Sequence, residues 1–98
     1  QVTAEGLLTA NQNLDVLGAG DGKILGVGFD AGSTQKAAVK DGTLLGSLTQ
    51  APVDQGRIAI ETLNDICEGK EVKDVETACY WYDAETMEDA EIAPNLYD

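Results

Sequence analysis

Three polar residues each directly follow a short, mostly apolar run of the sequence: Asn11, Asp30 and Gln50. If those runs are parallel strands, the three side chains meet at the carboxyl edge of the sheet, where open α/β folds bind ligands. Two amides and a carboxylate supply both donors and acceptors, which suits a neutral polyhydroxyl ligand. A phosphate would be repelled by Asp30. The alternative is that Asn11 and Asp30 only cap turns, as such residues commonly do.

The runs before these residues are predicted to be buried strands connected by helices. Ile24–Phe29 is apolar throughout with glycines for close packing, which is typical of a strand covered on both faces. The predicted strands are Gly6–Ala10, Ile24–Phe29, Thr43–Thr49 and Val75–Tyr82. The predicted helices are Gln12–Leu17, Thr34–Lys40 with Ser33 as N-cap, and Val53–Glu68 with Pro52 in its first turn. This βαβαβαβ order predicts a mostly parallel sheet flanked by helices.

The remainder of the chain is acidic. Asp83–Asp98 is predicted to be a surface tail that packs through the apolar residues Met87, Ile92 and Leu96. The net charge of the 98-residue chain is −12, from 18 acidic and 6 basic residues. Such a chain repels nucleic acids and anionic membrane surfaces, so no nucleic-acid partner is expected. Its length predicts one domain, residues 1–98.

The sequence contains no pattern that favours catalysis, a cofactor or a metal. It has no histidine, and its glycine-rich segment Gly18–Gly22 precedes a strand, whereas a phosphate-binding loop follows one. The spacing of Cys67 and Cys79 is no metal motif; it favours two buried thiols, with a disulfide as the alternative. Trp81 could stack on a sugar ring, but packing is the favoured interpretation for a strand tryptophan. The protein is therefore expected not to be an enzyme and to need no cofactor.

Several short motifs occur in the order found in one protein family. They are Leu7–Asn11, Gly26–Asp30, Val39–Leu44, Leu48–Pro52, Gly69–Val72 and Asp89–Tyr97. Together they resemble the C-terminal lobe of the type I periplasmic sugar-binding proteins, the ribose- and galactose-type receptors of ABC importers. The resemblance extends from about Gly6 to the end of the chain.

This resemblance implies a three-layer Rossmann-like lobe of the periplasmic-binding-protein-like I fold, in a receptor whose two lobes close on a monosaccharide. It implies hydrogen bonding to sugar hydroxyls by Asn11, Asp30 and Gln50, the residues that the strand-end pattern also selects. The implied partners are the membrane subunits of the importer, and the implied location is extracytoplasmic, in the periplasm or as a cell-surface lipoprotein.

The sequence differs from the family in two respects. These 98 residues are expected to lack the N-terminal lobe, so that half of the cleft binds sugar weakly or not at all, and the exposed sheet edge could support a homodimer. The interval from Asn11 to Asp30 is also several residues shorter than in the family. Two alternatives remain open: the effector-binding domain of a lactose-repressor-like transcription factor, and a ligand-free truncated or engineered half-domain. A repressor would need a basic DNA-binding headpiece, and the acidic charge favours transport.

Overall fold

Three short strands form one mixed sheet in a computed structural model of the chain, which describes residues 1–97. The elements are α1 (Val2–Leu14), β1 (Val27–Phe29), α2 (Ser33–Lys40), β2 (Gly46–Thr49), α3 (Pro52–Cys67), β3 (Tyr80–Tyr82) and a 3₁₀ turn over Ala93–Asn95. The last residue of the predicted tail, Asp98, lies outside the described residues. Among residues 1–97, no helix is both long enough and apolar enough to cross a membrane.

The sheet has the strand order β1-β2-β3. β1 and β2 are parallel, with Phe29 opposite Leu48, and a separate parallel bridge joins Leu17 to Ile24. β3 runs antiparallel to β2, with Thr49 opposite Tyr80. The predicted α/β fold with a mostly parallel sheet is confirmed, whereas the parallel direction predicted for the last strand is wrong. The predicted strands are also longer than the observed ones.

The first predicted strand, Gly6–Ala10, is wrong because these residues lie inside helix α1. A short apolar run does not by itself distinguish a strand from a buried helical segment. Ala4 and Leu8 are one helical turn apart; Ala4 is buried, and Leu8 packs against the core. The helix predicted over Gln12–Leu17 is therefore only the end of α1, which stops where Asp15 adopts the left-handed conformation (φ 48°).

The core lies between α2, the sheet and the C-terminal segment. Its largest fully buried apolar side chains are Val39, Leu44 and Tyr82. The predicted anchors of the tail are confirmed: Met87, Ile92 and Leu96 pack against this core. Buried Thr49 ties the same segment to β2, because its hydroxyl donates to the Asn95 carbonyl at 2.8 Å.

Helix α3 lies largely outside this core. Pro52 is its first residue, as predicted, but none of its 16 residues is buried. Four of its apolar side chains are more than half exposed, namely Val53, Ile60, Leu63 and Ile66. The segment 70–79, which returns from α3 to β3, is exposed at every residue. The molecule is accordingly elongated, measuring 58 × 25 × 19 Å.

The two cysteines lie in this exposed part of the molecule. Cys67 is the last residue of α3, and Cys79 ends the extended return segment. Both side chains are exposed, and both thiols are free. The prediction of two buried thiols is therefore wrong, and the structure contains no bond between them. The reason is that no residue of α3 is buried and every residue of the return segment is exposed.

Candidate functional site

Asp30 and Gln50 meet at the carboxyl ends of the two parallel strands. Asp30 directly follows β1 and Gln50 directly follows β2. The Gln50 Nε2 atom donates a hydrogen bond of 3.0 Å to Asp30 Oδ1. Asp30 is partly buried and Gln50 is exposed, so both polar groups can be reached from solvent. The pair presents carboxylate oxygens, an amide carbonyl and amide hydrogens at the sheet edge that binds ligands in such folds.

The backbone of Asp30 adopts the left-handed conformation, with φ 74°. This region is sparsely populated by residues other than glycine, although aspartate and asparagine tolerate it better than most. Contacts on the backbone of Asp30 compensate for that conformation. Its N–H donates to the Leu48 carbonyl at 2.6 Å. Its carbonyl oxygen accepts hydrogen bonds from Gln35 Nε2 at 2.9 Å, Ser47 Oγ at 2.9 Å and Tyr82 Oη at 2.8 Å.

The three donors to this carbonyl come from different elements and are buried. Gln35, Ser47 and Tyr82 belong to α2, β2 and β3, and each is fully inaccessible to solvent. Gln35 Nε2 also contacts the Phe29 carbonyl at 3.0 Å and Ser47 Oγ at 2.5 Å. We call these three residues the carbonyl cluster. Sequence reasoning missed the cluster, since its members are far apart in the chain.

The only sequence signal for the carbonyl cluster is a glycine inside a strand. A Cβ atom on Gly28 would lie 2.3 Å from Gln35 Nε2 and 3.0 Å from Ser47 Oγ. A side chain at this position would therefore displace the donors to the Asp30 carbonyl. Glycine within a strand marks such a close approach, so Gly28 indicates that a neighbouring side chain packs directly against β1.

Gln50 is positioned by the turn between β2 and α3. Buried Ala51 adopts the left-handed conformation with φ 53°, and Pro52 then begins the helix. The Gln50 carbonyl accepts a hydrogen bond of 2.7 Å from Gln55 Nε2, which fixes the backbone before the helix. The turn leaves the Gln50 side chain beside Asp30.

Hydrogen bonding to the ionised form dominates the electrostatics of Asp30. The bond from Gln50 lowers the pKa of the Asp30 carboxyl, and burial partly opposes that lowering. Burial raises the pKa of the Tyr82 hydroxyl. Tyr82 is therefore protonated at neutral pH and able to donate to the Asp30 carbonyl.

Asn11 does not lie at the end of a strand, so its predicted position is wrong. It occupies the last turns of α1, and its Oδ1 accepts hydrogen bonds from the backbone N–H groups of Val16 (2.8 Å) and Leu17 (2.9 Å). It also lines a shallow depression between α1 and α2 that includes neither Asp30 nor Gln50. The turn-capping alternative describes Asn11 correctly, because the first predicted strand is a helix.

Trp81 packs against the sheet. A Cβ atom on Gly46 of the neighbouring strand would lie 2.2 Å from the indole ring, so the ring covers that glycine. Its Nε1 atom donates to Asp83 Oδ2 at 3.1 Å. The favoured interpretation of Trp81 as a packing residue agrees with these contacts.

The chain is similar to two solved structures of larger proteins. The first is described as an ABC transporter, LacI family transcriptional regulator from Brachyspira murdochii, with 36% identity, a TM-score of 0.75, and 85% of this chain and 27% of that chain covered. The second is the crystal structure of an ABC transporter solute-binding protein from Agrobacterium vitis with bound D-fucose. It has 24% identity and a TM-score of 0.87, and the match covers 99% of this chain and 32% of that chain.

No family model and no curated protein matches the sequence. The structural similarity nevertheless confirms the resemblance found in the sequence: the chain has the fold of a lobe of the type I periplasmic binding proteins. It spans less than a third of the length of either matched structure.

Proposed function

We propose that this chain binds a neutral sugar as part of the solute receptor of an ABC importer. The observation that carries the proposal is the Asp30–Gln50 pair at the carboxyl ends of two adjacent parallel strands. Asp30 would accept hydrogen bonds from sugar hydroxyls, and Gln50 would both donate and accept. The fold is that of solute-binding proteins, and one structural neighbour was solved with D-fucose. The proposed role is binding and not catalysis.

The charge of the site favours a neutral ligand. The Asp30 carboxylate is ionised at neutral pH, since its ordinary pKa of 3.8 is far below 7 and its surroundings lower it further. An anionic ligand would be repelled both by this group and by a chain of net charge −12. A monosaccharide avoids that repulsion and matches the mixed donors and acceptors of the pair. Asn11 is left out of the proposed site because its side chain caps α1.

A second α/β lobe of the same receptor is the proposed partner of helix α3. The apolar side chains of α3 are exposed along one stripe, and no residue of this helix is buried. Because the chain spans 27% and 32% of its two structural neighbours, a full receptor would contain enough further chain to cover the stripe. A second lobe of the full receptor would also complete the sugar cleft, since a ligand site normally buries most of its ligand.

The proposed location is extracytoplasmic, in the periplasm or on the cell surface, with the importer's membrane subunits as partners.

A homodimer through the free edge of β1 is proposed as well, because Val27 and Phe29 are about half exposed there and no described strand pairs with that edge. Light scattering would detect this dimer, and Val27→Lys should make it monomeric, whereas an unchanged mass would contradict the proposed interface.

A second candidate function is the effector-binding domain of a transcription factor. One structural neighbour is described as a LacI family transcriptional regulator, and this observation keeps the alternative open. The same Asp30–Gln50 pair would then bind a sugar effector. The net charge of −12 favours the receptor, because a strongly acidic chain next to a DNA-binding module would be repelled by the DNA phosphates and would weaken DNA binding. Deletion of the gene would distinguish the two functions. Importer-dependent sugar uptake should be lost if the protein is the receptor, whereas loss of a regulator would not remove the receptor itself.

Sugar binding can be tested by NMR on the uniformly ¹⁵N-labelled 98-residue chain. A panel of D-fucose, D-galactose, D-ribose and D-glucose is titrated to high millimolar concentration, because half a cleft is expected to bind weakly. The expected result is a saturable shift of the Gln50 side-chain amide and the Asp30 backbone amide by at least one sugar of the panel.

The matched variants separate the site from general effects of sugar on the protein. Asp30→Ala combined with Gln50→Ala should abolish the saturable shifts. Asp74→Ala combined with Gln12→Ala changes the same residue types at exposed positions and should leave the shifts intact. Saturable binding that survives the first double variant would overturn the site assignment, and the absence of saturation by every sugar would overturn the proposed ligand class for this chain.

A further inference from the structure

The backbone carbonyl of Asp30 is held unusually firmly for a residue that follows a strand. It accepts hydrogen bonds from Gln35, Ser47 and Tyr82 at 2.8–2.9 Å. A carbonyl oxygen has two lone pairs, so three donors saturate it. The donors are fully buried, whereas the Asp30 side chain is partly exposed. The rigid part of Asp30 is thus its backbone, and the part available to a ligand is its carboxylate.

The left-handed backbone of Asp30 is the conformation that these contacts maintain. A φ of 74° in a residue other than glycine persists only where the surroundings determine it. Rotation of Asp30 about its N–Cα bond, which changes φ, would move its carbonyl away from the donors of the carbonyl cluster. It would also turn the carboxylate away from Gln50, whose amide lies 3.0 Å from Oδ1. The carbonyl cluster and the Asp30–Gln50 pair are therefore coupled through the φ torsion of Asp30.

We propose that Gln35, Ser47 and Tyr82 are positioning residues for the ligand site, acting through the Asp30 carbonyl to hold its carboxylate beside Gln50. They do not contact the ligand themselves, since each is buried beneath the strand end. The proposal rests on the proposed function for the identity of the ligand, but the coupling to Asp30 can be measured without any sugar.

The experiment compares Tyr82→Phe with Tyr80→Phe in the 98-residue chain. Tyr82→Phe removes the hydroxyl that donates to Asp30 and keeps the ring, while Tyr80→Phe makes the same change two residues earlier on β3. The readout is the carboxyl pKa of Asp30, followed by ¹³C NMR. In Tyr82→Phe the pKa should rise toward its ordinary value of 3.8, because the Gln50 bond that lowers it is weakened. In Tyr80→Phe it should not change.

Ser47→Ala provides a milder second variant in case Tyr82→Phe folds poorly, and Ser33→Ala is its exposed control. If sugar binding is established, Tyr82→Phe should weaken the affinity about threefold to tenfold, the equivalent of one hydrogen bond. Variants that lower the melting temperature but leave the Asp30 pKa unchanged would overturn the positioning role. A shifted pKa in a chain that binds no sugar would instead support the coupling and reject the proposed function.

Discussion

The backbone and the side chain of Asp30 make different kinds of contact. The backbone carbonyl is surrounded by buried donors from three elements, and the carboxylate faces Gln50 at the edge of the sheet. An asparagine at this position would keep the left-handed backbone and the carbonyl contacts but would lose the negative charge. A proline would lose both the N–H bond to Leu48 and the left-handed conformation. Of the polar groups of Asp30, only the carboxylate therefore remains accessible at the edge of the sheet.

Replacement of Gln50 by leucine should make the free energy of unfolding less dependent on pH in the acidic range. The pKa of Asp30 is lower in the folded chain than its ordinary value of 3.8, so its ionised form stabilises the fold above that pH. This contribution is lost as the pH falls through the folded-state pKa. Gln50→Leu should lower the free energy of unfolding by about 1 kcal/mol at neutral pH. The difference from the native chain should vanish below the folded-state pKa of Asp30.

Urea unfolding measured between pH 2 and pH 7 checks this prediction. Gln12→Leu, an exposed substitution on α1, is the control and should show the pH dependence of the native chain. A Gln50→Leu chain whose deficit persists undiminished at the lowest pH would show that Gln50 stabilises the protein by some means other than its bond to Asp30.

Gly28→Ala should destabilise the chain by about 1–3 kcal/mol, the usual range for overpacking a buried site. The added methyl group would lie 2.3 Å from Gln35 Nε2 and 3.0 Å from Ser47 Oγ, so the carbonyl cluster would have to move. Gly56→Ala is the matched control. A Cβ at Gly56 meets nothing within 4 Å, and alanine there should stabilise α3 by up to about 1 kcal/mol. Equal effects of the two substitutions on urea unfolding would contradict the crowding at Gly28.

At the scale of elements, the sequence predicted those segments whose boundaries are set by local chemistry. Pro52 and Gly69 bracket the long helix, which the structure has at Pro52–Cys67. Ser33 and Gly42 bracket the short one at Ser33–Lys40, where the N-cap is Gly32 and not Ser33. Proline at a helix start and glycine after a helix end act in the same way wherever they occur, so one sequence was enough to place Pro52, Gly42 and Gly69, whereas the N-cap predicted at Ser33 is wrong.

The first predicted strand failed because its evidence was only apolar character. Gly6–Ala10 fits either a strand or one side of a helix, and the contacts of Ala4 and Leu8 with the rest of the fold decide for the helix. Because this segment is a helix, Asn11 lies near a helix end and not at the predicted strand end. Asp30 and Gln50 were located correctly, since the strands before them do form. Their supporting residues were not predictable from local pattern, because Gln35, Ser47 and Tyr82 meet only through tertiary packing.

Helix α3 should be the least protected helix of the chain in hydrogen exchange. No residue of α3 is buried, whereas α2 contains buried Ala38 and Val39. Local opening of α3 therefore exposes little new apolar surface and has a small free energy. We expect its amides to exchange at least about tenfold faster than those of α2 and β2, measured by NMR or mass spectrometry. Protection of α3 equal to that of β2 would mean that its apolar stripe is covered in solution.

At the scale of the whole molecule, α3 determines the shape. The Cα radius of gyration is 17.0 Å, while a compact chain of this length would have about 13 Å. The match to the Agrobacterium vitis structure extends over 99% of the chain with a TM-score of 0.87, so the fold that the two structures share includes α3.

Small-angle X-ray scattering of the 98-residue chain carrying Val27→Lys, which should be monomeric, should give a radius of gyration near 17 Å if α3 projects in solution. The double substitution Ile60→Lys with Leu63→Lys tests the same point independently. Both side chains are more than half exposed, so the lysines should change neither the radius nor the melting temperature of the monomer. If α3 instead folds back and buries its stripe, the native radius should approach about 13 Å, and the lysines should expand the chain and lower its melting temperature. That outcome would remove the reason for assigning a second lobe to α3, because the stripe would already be covered by the chain itself.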